Sequence, residues 1–468
     1  MSSDKGNQGG KGAGLIPDEI YMVQRLDRMP FNRFFVYLAI IAGFGLFFDI
    51  YDINTMSITA PTVAKLWHLT SLEVTLSIAW GFIGMFVGSL VSGRLADALG
   101  RRRLFMITLA TIAIGALWSA LSPNLLNLWA SRFVTGFGIG GDLPVVWAYL
   151  TEMSPTRYRG RLMGIAMIVG VASLPTVGLL ASYLISTFGA ALGWRYVFIS
   201  AAVIAILVWV IRYFAPESPR YYLAHNMRDK AEEVMRHIEA YVERVTGKKL
   251  PPYDTSKKYM LGEYRAPLKE IFTRKYVIPT TTATLLWIFQ TWGFYGFSAF
   301  LPLILIAKGF TFIHAIYYTA IGWAGGILGP IVVAAIGEGF ERKYALMLWA
   351  GLAALFMMVM GATPSTLPIL IIISAFLVNT FIQAWATALY SYVPEIFPSR
   401  ARATGGGFAN AMGRGFNVIG LMVVGVLLAG LPLYQLTFTA LSWIICIIVL
   451  AILGTKTSGR VLEEISEK

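Results

Sequence analysis

The sequence predicts an all-α membrane protein with twelve transmembrane helices arranged as two pseudo-symmetric six-helix bundles. Three observations predict this fold class. Hydrophobic residues make up 57% of the 468 residues and charged residues only 13%, about half the charge of an ordinary soluble domain. One run after another approaches the ~20 apolar residues that a helix needs to cross a bilayer. Two motifs also recur at nearly the same offset, which divides the runs into two sets of six.

The apolar runs predict helices rather than barrel strands. They are apolar on every side instead of alternating, and they contain the Gly, Ala and Ser residues that let packed helices approach closely. The predicted spans cover residues 34–60, 73–98, 104–121, 125–151, 161–187, 194–214, 276–306, 313–336, 343–361, 366–393, 402–430 and 433–454.

The loop charges predict the orientation in the membrane. Arginine and lysine residues concentrate in alternate short loops, such as 101–103, 157–161 and 400–402, and such loops face the cytoplasm. We therefore expect a monomeric, multi-pass protein of the cell membrane with both termini in the cytoplasm. The net charge of +13 needs no nucleic-acid partner. The expected partners are the lipid bilayer, a small-molecule substrate and protons.

The same pattern divides the chain into five segments. The expected segments are a cytoplasmic N-terminal tail at 1–33, an N-terminal bundle at 34–214, a cytoplasmic linker with surface helices at 215–275, a C-terminal bundle at 276–454 and a cytoplasmic tail at 455–468.

An internal repeat supports the division into two halves. The segment from Glu152 to Arg159 recurs from Glu395 to Arg402 at an offset of 243 residues, and each copy ends a long apolar span. Carboxylates and arginines at such positions can pair and part, so they predict cytoplasmic gates. The alternative is a basic cluster that only fixes topology. The predicted gate residues are Gly93, Asp97, Gly100, Arg101, Arg102, Glu152, Arg157 and Arg159 in the first half, and Glu341, Arg342, Glu395, Arg400 and Arg402 in the second.

Three carboxyl groups inside the first-half spans predict proton coupling. Asp49 and Asp52 are three residues apart and therefore share one helix face, and Asp142 lies deep in the fourth span. A carboxylate in such a place is costly unless it is paired or protonated. The alternative interpretation is that each acid is the structural ion-pair partner of Arg132 or Arg414.

The second-half spans are polar but mostly uncharged, which predicts a substrate site. Amides and indole N–H groups form hydrogen bonds with a solute, and aromatic faces pack on a ring. For the aromatic residues, the alternative is an interfacial belt or helix packing. Arg414 could hold a substrate carboxylate or phosphate, or neutralise a first-half acid. The predicted substrate-binding residues are Tyr51, Gln290, Trp292, Tyr295, Asn379, Gln383, Trp385, Arg414 and Asn417.

Together these motifs resemble the major facilitator superfamily, from the first span to the twelfth. The loop from Gly93 to Arg103 looks like its signature between helices 2 and 3, and Pro216–Arg220 and Pro394–Pro398 resemble the sugar-porter branch. The segment 143–152 looks like synaptic vesicle protein 2 and niacin-transporter relatives. The segment 49–52 with Asp142 is similar to phosphate:proton and aromatic-acid:proton symporters. Hexose carriers usually have two adjacent glutamines where this chain has Phe289 and Gln290.

The resemblance implies two bundles that rock about a central cavity. We expect a secondary active transporter that moves a small polar solute, such as an organic acid, a sugar or a related metabolite, by alternating access and proton symport. Alternatives are an uncoupled facilitator, an organic-cation carrier in which Asp142 binds the cation, and a non-transporting binding protein. An enzyme is not expected, because the sequence shows no metal-ligand cluster, phosphate loop or nucleophile with a base. No metal is expected, and the proton gradient stands in place of a cofactor.

Overall fold

The computed structural model describes residues 18–213, 215–225, 227–252, 268–336, 340–397, 399–428 and 432–457. Some residues within these helices are described by their backbone alone. They include four of the predicted gate residues, namely Gly93, Asp97, Arg400 and Arg402.

Sixteen α-helices and no strand occur in the described ranges. The first half contains α1 (Asp18–Asp27), α2 (Arg33–Trp67), α3 (Ser71–Leu99), α4 (Arg101–Leu121), α5 (Leu125–Met153), α6 (Arg159–Val171) and α7 (Ser173–Tyr213). The linker contains α8 (Pro219–Ala224) and α9 (Arg228–Thr246). The second half contains α10 (Val277–Ser298), α11 (Leu301–Ala307), α12 (Phe312–Ile336), α13 (Arg342–Ala362), α14 (Pro368–Ile396), α15 (Ser399–Leu428) and α16 (Pro432–Leu453).

These helices accommodate the twelve predicted spans. Within the described residues, ten helical stretches are long and apolar enough to cross a membrane, and the bent pair α10 and α11 makes an eleventh. One of the ten, Thr156–Tyr213, has 58 residues and would be ~87 Å long at ~1.5 Å per residue, nearly three bilayer cores. Non-helical backbone at Gly189, with φ of 75° and ψ of 168°, divides it into two spans. The all-α fold class with twelve membrane helices is confirmed.

The predicted span 276–306 is not one straight helix. α10 and α11 meet at an angle of 52°, and Pro302 lies in the first turn of α11. Proline has no N–H and its ring clashes with the carbonyl four residues earlier, so the helix breaks before it. Hydropathy alone could not show this bend, because both pieces are apolar.

Glycines bring α3 and α5 together in the first half. A Cβ added at Gly136 would overlap with the backbone of Gly81, and one added at Gly140 would overlap with the backbone of Met85. The two helix axes can therefore approach closely along this seam. The same seam holds Arg132 and Asp142 at fixed depths in the bundle.

Close contacts join the two halves on the face opposite α1 and α9, which we call the far face; the face with α1 and α9 is the termini face. A Cβ added at Gly425 in α15 would overlap with the side chain of Thr75 in α3. Nearer the centre, the rings of Phe82 and Tyr295 meet edge to face with centroids 4.5 Å apart. The halves are thus in contact from the far face to the middle of the molecule.

A cation closes the same helix end in each half. Arg195 donates to the carbonyls of Ala120 and Ser122 at the end of α4, at 2.5 and 3.0 Å. The Lys308 ammonium donates to the carbonyls of Gly361 and Thr363 at the end of α13, at 2.6 and 2.9 Å. Positive charge there satisfies the last carbonyls and complements the helix dipole.

Candidate functional site

Asp52 and Arg132 form a buried ion pair between α2 and α5. Arg132 Nη2 lies 2.9 Å from Asp52 Oδ2 and 3.2 Å from the Asp52 carbonyl oxygen. The Asp52 and Arg132 side chains are 0% and 3% exposed. The guanidinium carbon also lies 5.5 Å from the centre of the Phe198 ring. The alternative prediction that Arg132 is an ion-pair partner for a first-half acid is therefore confirmed for Asp52.

A second ion pair joins Asp142 in α5 to Arg212 near the end of α7. Arg212 Nη1 lies 2.8 Å from each carboxylate oxygen of Asp142. The Thr108 hydroxyl in α4 donates to Asp142 Oδ1 at 2.8 Å, and the Phe105 ring lies 4.3 Å below the guanidinium carbon. Asp142 is fully buried. Three helices therefore converge on one carboxylate.

Asp49 is the third buried carboxyl group of this cluster. It is fully buried, and neither of its oxygens accepts a hydrogen bond from a described N–H or O–H donor. The Asp142 carboxyl group is near enough to share a hydrogen bond with Asp49 when one of the two is protonated. The charged groups that act on Asp49 are Asp142, Arg212 and Asp52. Three carboxyl groups thus share two guanidinium groups. The cluster carries an excess negative charge when Asp49 is ionised and is neutral when Asp49 is protonated.

Sequence reasoning missed Arg212. Its signal is a single charged residue inside the otherwise apolar run from Val197 to Phe214, and an ionisable residue within a span is a functional candidate by default. It lies near the end of the predicted span 194–214. The spacing of the acids gives no direct clue to a partner seventy positions away.

A cavity lies between the two halves, with space of about 100 Å³ for the centres of water-sized molecules. That is room for several waters or one small solute. Helices α2, α5, α6 and α7 line it on one side and α10, α14 and α15 on the other. Its polar and aromatic lining residues are Asn54, Trp147, Trp287, Gln290, Thr291, Phe294, Tyr295, Gln383, Tyr390 and Arg414.

The predicted substrate residues fall into two groups. Gln290, Tyr295, Gln383 and Arg414 line the cavity. The other five predicted residues do not line it. Three of them make hydrogen bonds elsewhere: the Tyr51 hydroxyl lies 2.7 Å from Ser200 Oγ, Trp292 donates to the Phe416 carbonyl at 2.8 Å, and Asn379 donates to the Ala375 carbonyl at 2.9 Å. Trp385 packs edge to face on Trp443, and Asn417 is fully buried.

Several lining residues were not predicted. Trp147 and Tyr390 come from opposite halves, and their ring centroids lie 5.8 Å apart. Tyr390 also meets Trp287 edge to face at 5.3 Å. Since these helices are apolar on every side, their sequences do not show which aromatic residues face the cavity. Aromatic walls of this kind suit a flat ring.

Arg414 is the cationic side chain among the lining residues. Its Nε donates to Asn410 Oδ1 at 2.8 Å. No acid of the described chain lies within ion-pair distance of it, so the alternative in which Arg414 neutralises a first-half acid is not what this conformation shows. A guanidinium facing a cavity can form two parallel hydrogen bonds with a carboxylate.

Ion pairs occur at matching places near the termini face in both halves. Arg101 Nη2 lies 3.0 Å from Glu152 Oε1, joining α4 to α5. Arg342 pairs with Glu395, joining α13 to α14. Both pairs connect the predicted gate motifs of their own half.

The start of α4 is also bound by the linker. Gly100 has a φ of 91°, and a Cβ there would lie 2.6 Å from Glu217 Oε2. That oxygen accepts a hydrogen bond from the Arg102 backbone N–H at 3.1 Å. Burial raises the pKa of Glu217 above its ordinary value, although the N–H groups of Ser218 and Arg102 and the charge of Arg101 act in the opposite direction.

The remaining described gate residues have other contacts. Glu341 Oε1 accepts from the Thr457 N–H at 2.9 Å, so the second half also has a carboxylate between a helix start and a segment beyond its last helix. Arg157 donates to the Met29 carbonyl at 3.2 Å, and Arg159 is partly buried at the start of α6.

Comparison with known proteins extends over nearly the whole chain. Residues 36–468 match the family described as Sugar (and other) transporter. The putative metabolite transport protein YyaJ of Bacillus subtilis is 30% identical over 93% of this chain and 96% of its own length. The niacin transporter NiaP of Acinetobacter baylyi is 29% identical over 95% of this chain and 99% of its own length.

A solved structure shares the fold. The partially occluded, inward-open conformation of the xylose transporter XylE from E. coli gives a TM-score of 0.74 at 17% identity, covering 92% of this chain and 100% of that chain. The fold, the two matched halves and the family match agree, so the chain is a multi-pass membrane transporter and belongs to the Sugar (and other) transporter family of the major facilitator superfamily.

Proposed function

We propose that this protein transports a small organic acid together with a proton by alternating access, and that its termini face is cytoplasmic. The observation that carries the proposal is the charge balance around the cavity. In its described membrane spans, the first half has one more buried carboxyl group than it has buried guanidinium groups, and Arg414 in the second half faces the cavity without an acid partner.

Each ligand then removes one unbalanced charge. A proton on Asp49 neutralises the first-half cluster, and a carboxylate on Arg414 neutralises the second half. Unbalanced charge resists closure of a dry cavity, because burying it costs several kcal/mol. A singly loaded carrier has a net charge and therefore resists closure. The doubly loaded carrier is neutral and closes, and the empty carrier, whose unbalanced charges on Asp49 and Arg414 are opposite in sign, closes to complete the cycle.

The cavity favours an acid over an organic cation. Its described lining contains no carboxylate, and Asp142, the predicted cation ligand, is held by Arg212. Aromatic walls beside Arg414 suit an acid that carries a flat ring. The niacin transporter among the relatives fits this class, since niacin is an aromatic acid.

The test is uptake into proteoliposomes under an imposed pH gradient, with niacin, benzoate, xylose and phosphate as separate solutes. We expect an aromatic acid to accumulate and its entry to make the external medium more alkaline. Asp49→Asn, which cannot bind a proton, should lower gradient-driven accumulation at least ~10-fold while exchange at equal pH continues.

Glu233→Gln on the exposed surface of α9 serves as the control and should behave as wild type. Accumulation that is unchanged in both Asp49→Asn and Asp52→Asn would contradict proton coupling. Accumulation of xylose without any of the acids would replace the acid by a sugar as the solute.

A further inference from the structure

Arg212 uses only part of its guanidinium to hold Asp142. Nη1 makes both contacts with the carboxylate, at 2.8 Å each, and Nη2 is buried with no hydrogen-bond partner among the described residues. A buried N–H group without an acceptor is costly, so this second donor calls for an explanation.

The unused donor lies against α2 beside Asp49. A Cβ added at Gly45 would overlap with Nη2 and the guanidinium carbon of Arg212. Gly45 and Asp49 are four residues apart on one helix, so they share a face and are separated by about 6 Å along the axis. Asp49 is the carboxyl group of the cluster whose two oxygens both lack a described N–H or O–H donor.

We propose that Arg212 is a positioning residue that moves between Asp142 and Asp49 as the proton is bound and released. The proposal rests on the proton symport proposed above. With the proton on Asp49, Arg212 stays on Asp142. When Asp49 loses the proton, Nη2 donates to it and the guanidinium bridges α2 and α5.

The surroundings of Arg212 allow such a movement. Asp142 keeps the hydrogen bond from Thr108 to Oδ1, so that oxygen stays satisfied when the turning guanidinium keeps only one of its two contacts with the carboxylate. The absence of a side chain at residue 45 provides the space next to α2. The ionisable groups that face this site are Asp49 and Asp52 from α2 and Asp142 and Tyr149 from α5, whereas α4 presents Phe105 and Thr108.

The movement of Arg212 would change hydrogen bonds near the termini face. The Tyr213 carbonyl, next along the chain from Arg212, accepts from Arg102 Nη2 at 2.5 Å. The Pro216 carbonyl accepts from the Tyr149 hydroxyl at 2.8 Å. The end of α7 is thus tied to the start of α4 and the end of α5, the two helices that Arg101 and Glu152 join.

The decisive variant is Gly45→Ala, which leaves all five charged groups in place and takes away the space beside α2. Its methyl group displaces the guanidinium end of Arg212 rather than backbone. The variant should therefore fold, with a melting temperature between those of the wild type and Arg212→Gln, because the guanidinium stays available to Asp142. We expect the ratio of gradient-driven accumulation to equal-pH exchange to fall about 10-fold. Gly164→Ala in α6, where an added Cβ meets nothing within 4 Å, is the matched control and should keep the wild-type ratio.

A second set of variants separates positioning from folding. Arg212→Gln leaves Asp142 buried and unpaired and is expected to melt early, whereas Asp142→Asn/Arg212→Gln should recover the melting temperature but not the accumulation ratio. Arg212→Lys should fold and should move the pH profile of uptake, because a lysine cannot bind two carboxylates in the arginine geometry.

The outcomes distinguish the two proposals. Wild-type protein that exchanges the solute but never accumulates it overturns the proton symport and this inference with it. Wild-type accumulation with a normal ratio in Gly45→Ala and a normal pH profile in Arg212→Lys leaves the symport standing and overturns the role of Arg212.

Discussion

The two halves have one plan and different interiors. Each has six spans, an ion pair near the termini face and a cation that closes one helix end on the far face. Inside the membrane, however, the first half buries three aspartates and two arginines. The second half presents amides, aromatic rings and Arg414 to the cavity. The two halves thus keep the same helix arrangement although the side chains inside them differ, and they can bind different ligands.

The largest expected effect concerns the ion pairs of the first half. Arg132→Gln leaves Asp52 buried and unpaired, so we expect a loss of ~3–5 kcal/mol in the free energy of unfolding. Asn379→Ala, which removes a buried amide of the second half, should cost only ~1–3 kcal/mol. Thermal melting in detergent measures both. Asp52→Asn/Arg132→Gln should recover most of the loss, and equal losses in the two single variants would remove this distinction between the halves.

The next effect concerns the ligand of the second half. Arg414→Gln should raise the KM of the transported acid at least ~10-fold with little change in melting temperature, because no described acid depends on Arg414. Arg414→Lys should retain part of the affinity as a point charge. Arg236→Gln on α9, where the side chain is 77% exposed, is the control. An unchanged KM would remove Arg414 from the substrate site.

The two ion pairs near the termini face should differ by a smaller amount in their contribution to stability. The side chains of Arg101 and Glu152 are 13% and 12% exposed, against 28% and 22% for Arg342 and Glu395. Pairs closer to solvent contribute less, with values of ~0–1 kcal/mol typical of the surface. Glu152→Gln should therefore change melting and exchange rate more than Glu395→Gln. The swap Arg101→Glu/Glu152→Arg should restore the wild-type values, and a larger effect in the second half would reverse the order.

The smallest expected effect is a pH dependence at the contact between the linker and the first half. Burial raises the pKa of Glu217, so the stability that this group contributes is present at low pH and is lost as pH rises through its folded-state pKa. The wild-type melting temperature should accordingly decline relative to that of Glu217→Gln as pH rises above the ordinary glutamate pKa. Glu233→Gln, on the exposed side of α9, should follow the wild type. Parallel curves for wild type and Glu217→Gln would contradict this assignment.

Much of the fold can be predicted from the sequence. The lengths of the apolar runs predict the spans, and the recurrence of the Glu152 motif at Glu395 predicts the two halves. Both features depend only on the order of residues in the chain, not on how the helices pack. The acids in α2 and α5 were also visible, since a carboxylate inside an apolar run is rare. Arg132 could be named as a partner because it lies in the same kind of run.

The cavity lining was harder to predict for a physical reason. A helix that is apolar on every side carries no hydrophobic stripe, so its sequence does not show which face meets the other half. Trp292 and Trp385 were predicted to line the substrate site and pack elsewhere, whereas Trp147 and Tyr390 line the cavity. Only the packing of the two halves decides this. The pairing of Arg212 with Asp142 depends on the same packing.

Arg195 and Lys308 close equivalent helix ends from different positions, which shows how the sequences of two duplicated halves can diverge. The acceptors are backbone carbonyls, which every residue provides, so the donor can come from any neighbouring helix that reaches them. In one half it comes from α7, and in the other from the end of α11. An alignment of the two halves sets these residues at unrelated positions, although they perform the same task. Equivalent positions in the two halves are therefore identified better by the hydrogen-bond acceptors, the carbonyls at the helix end, than by the side chains that donate to them.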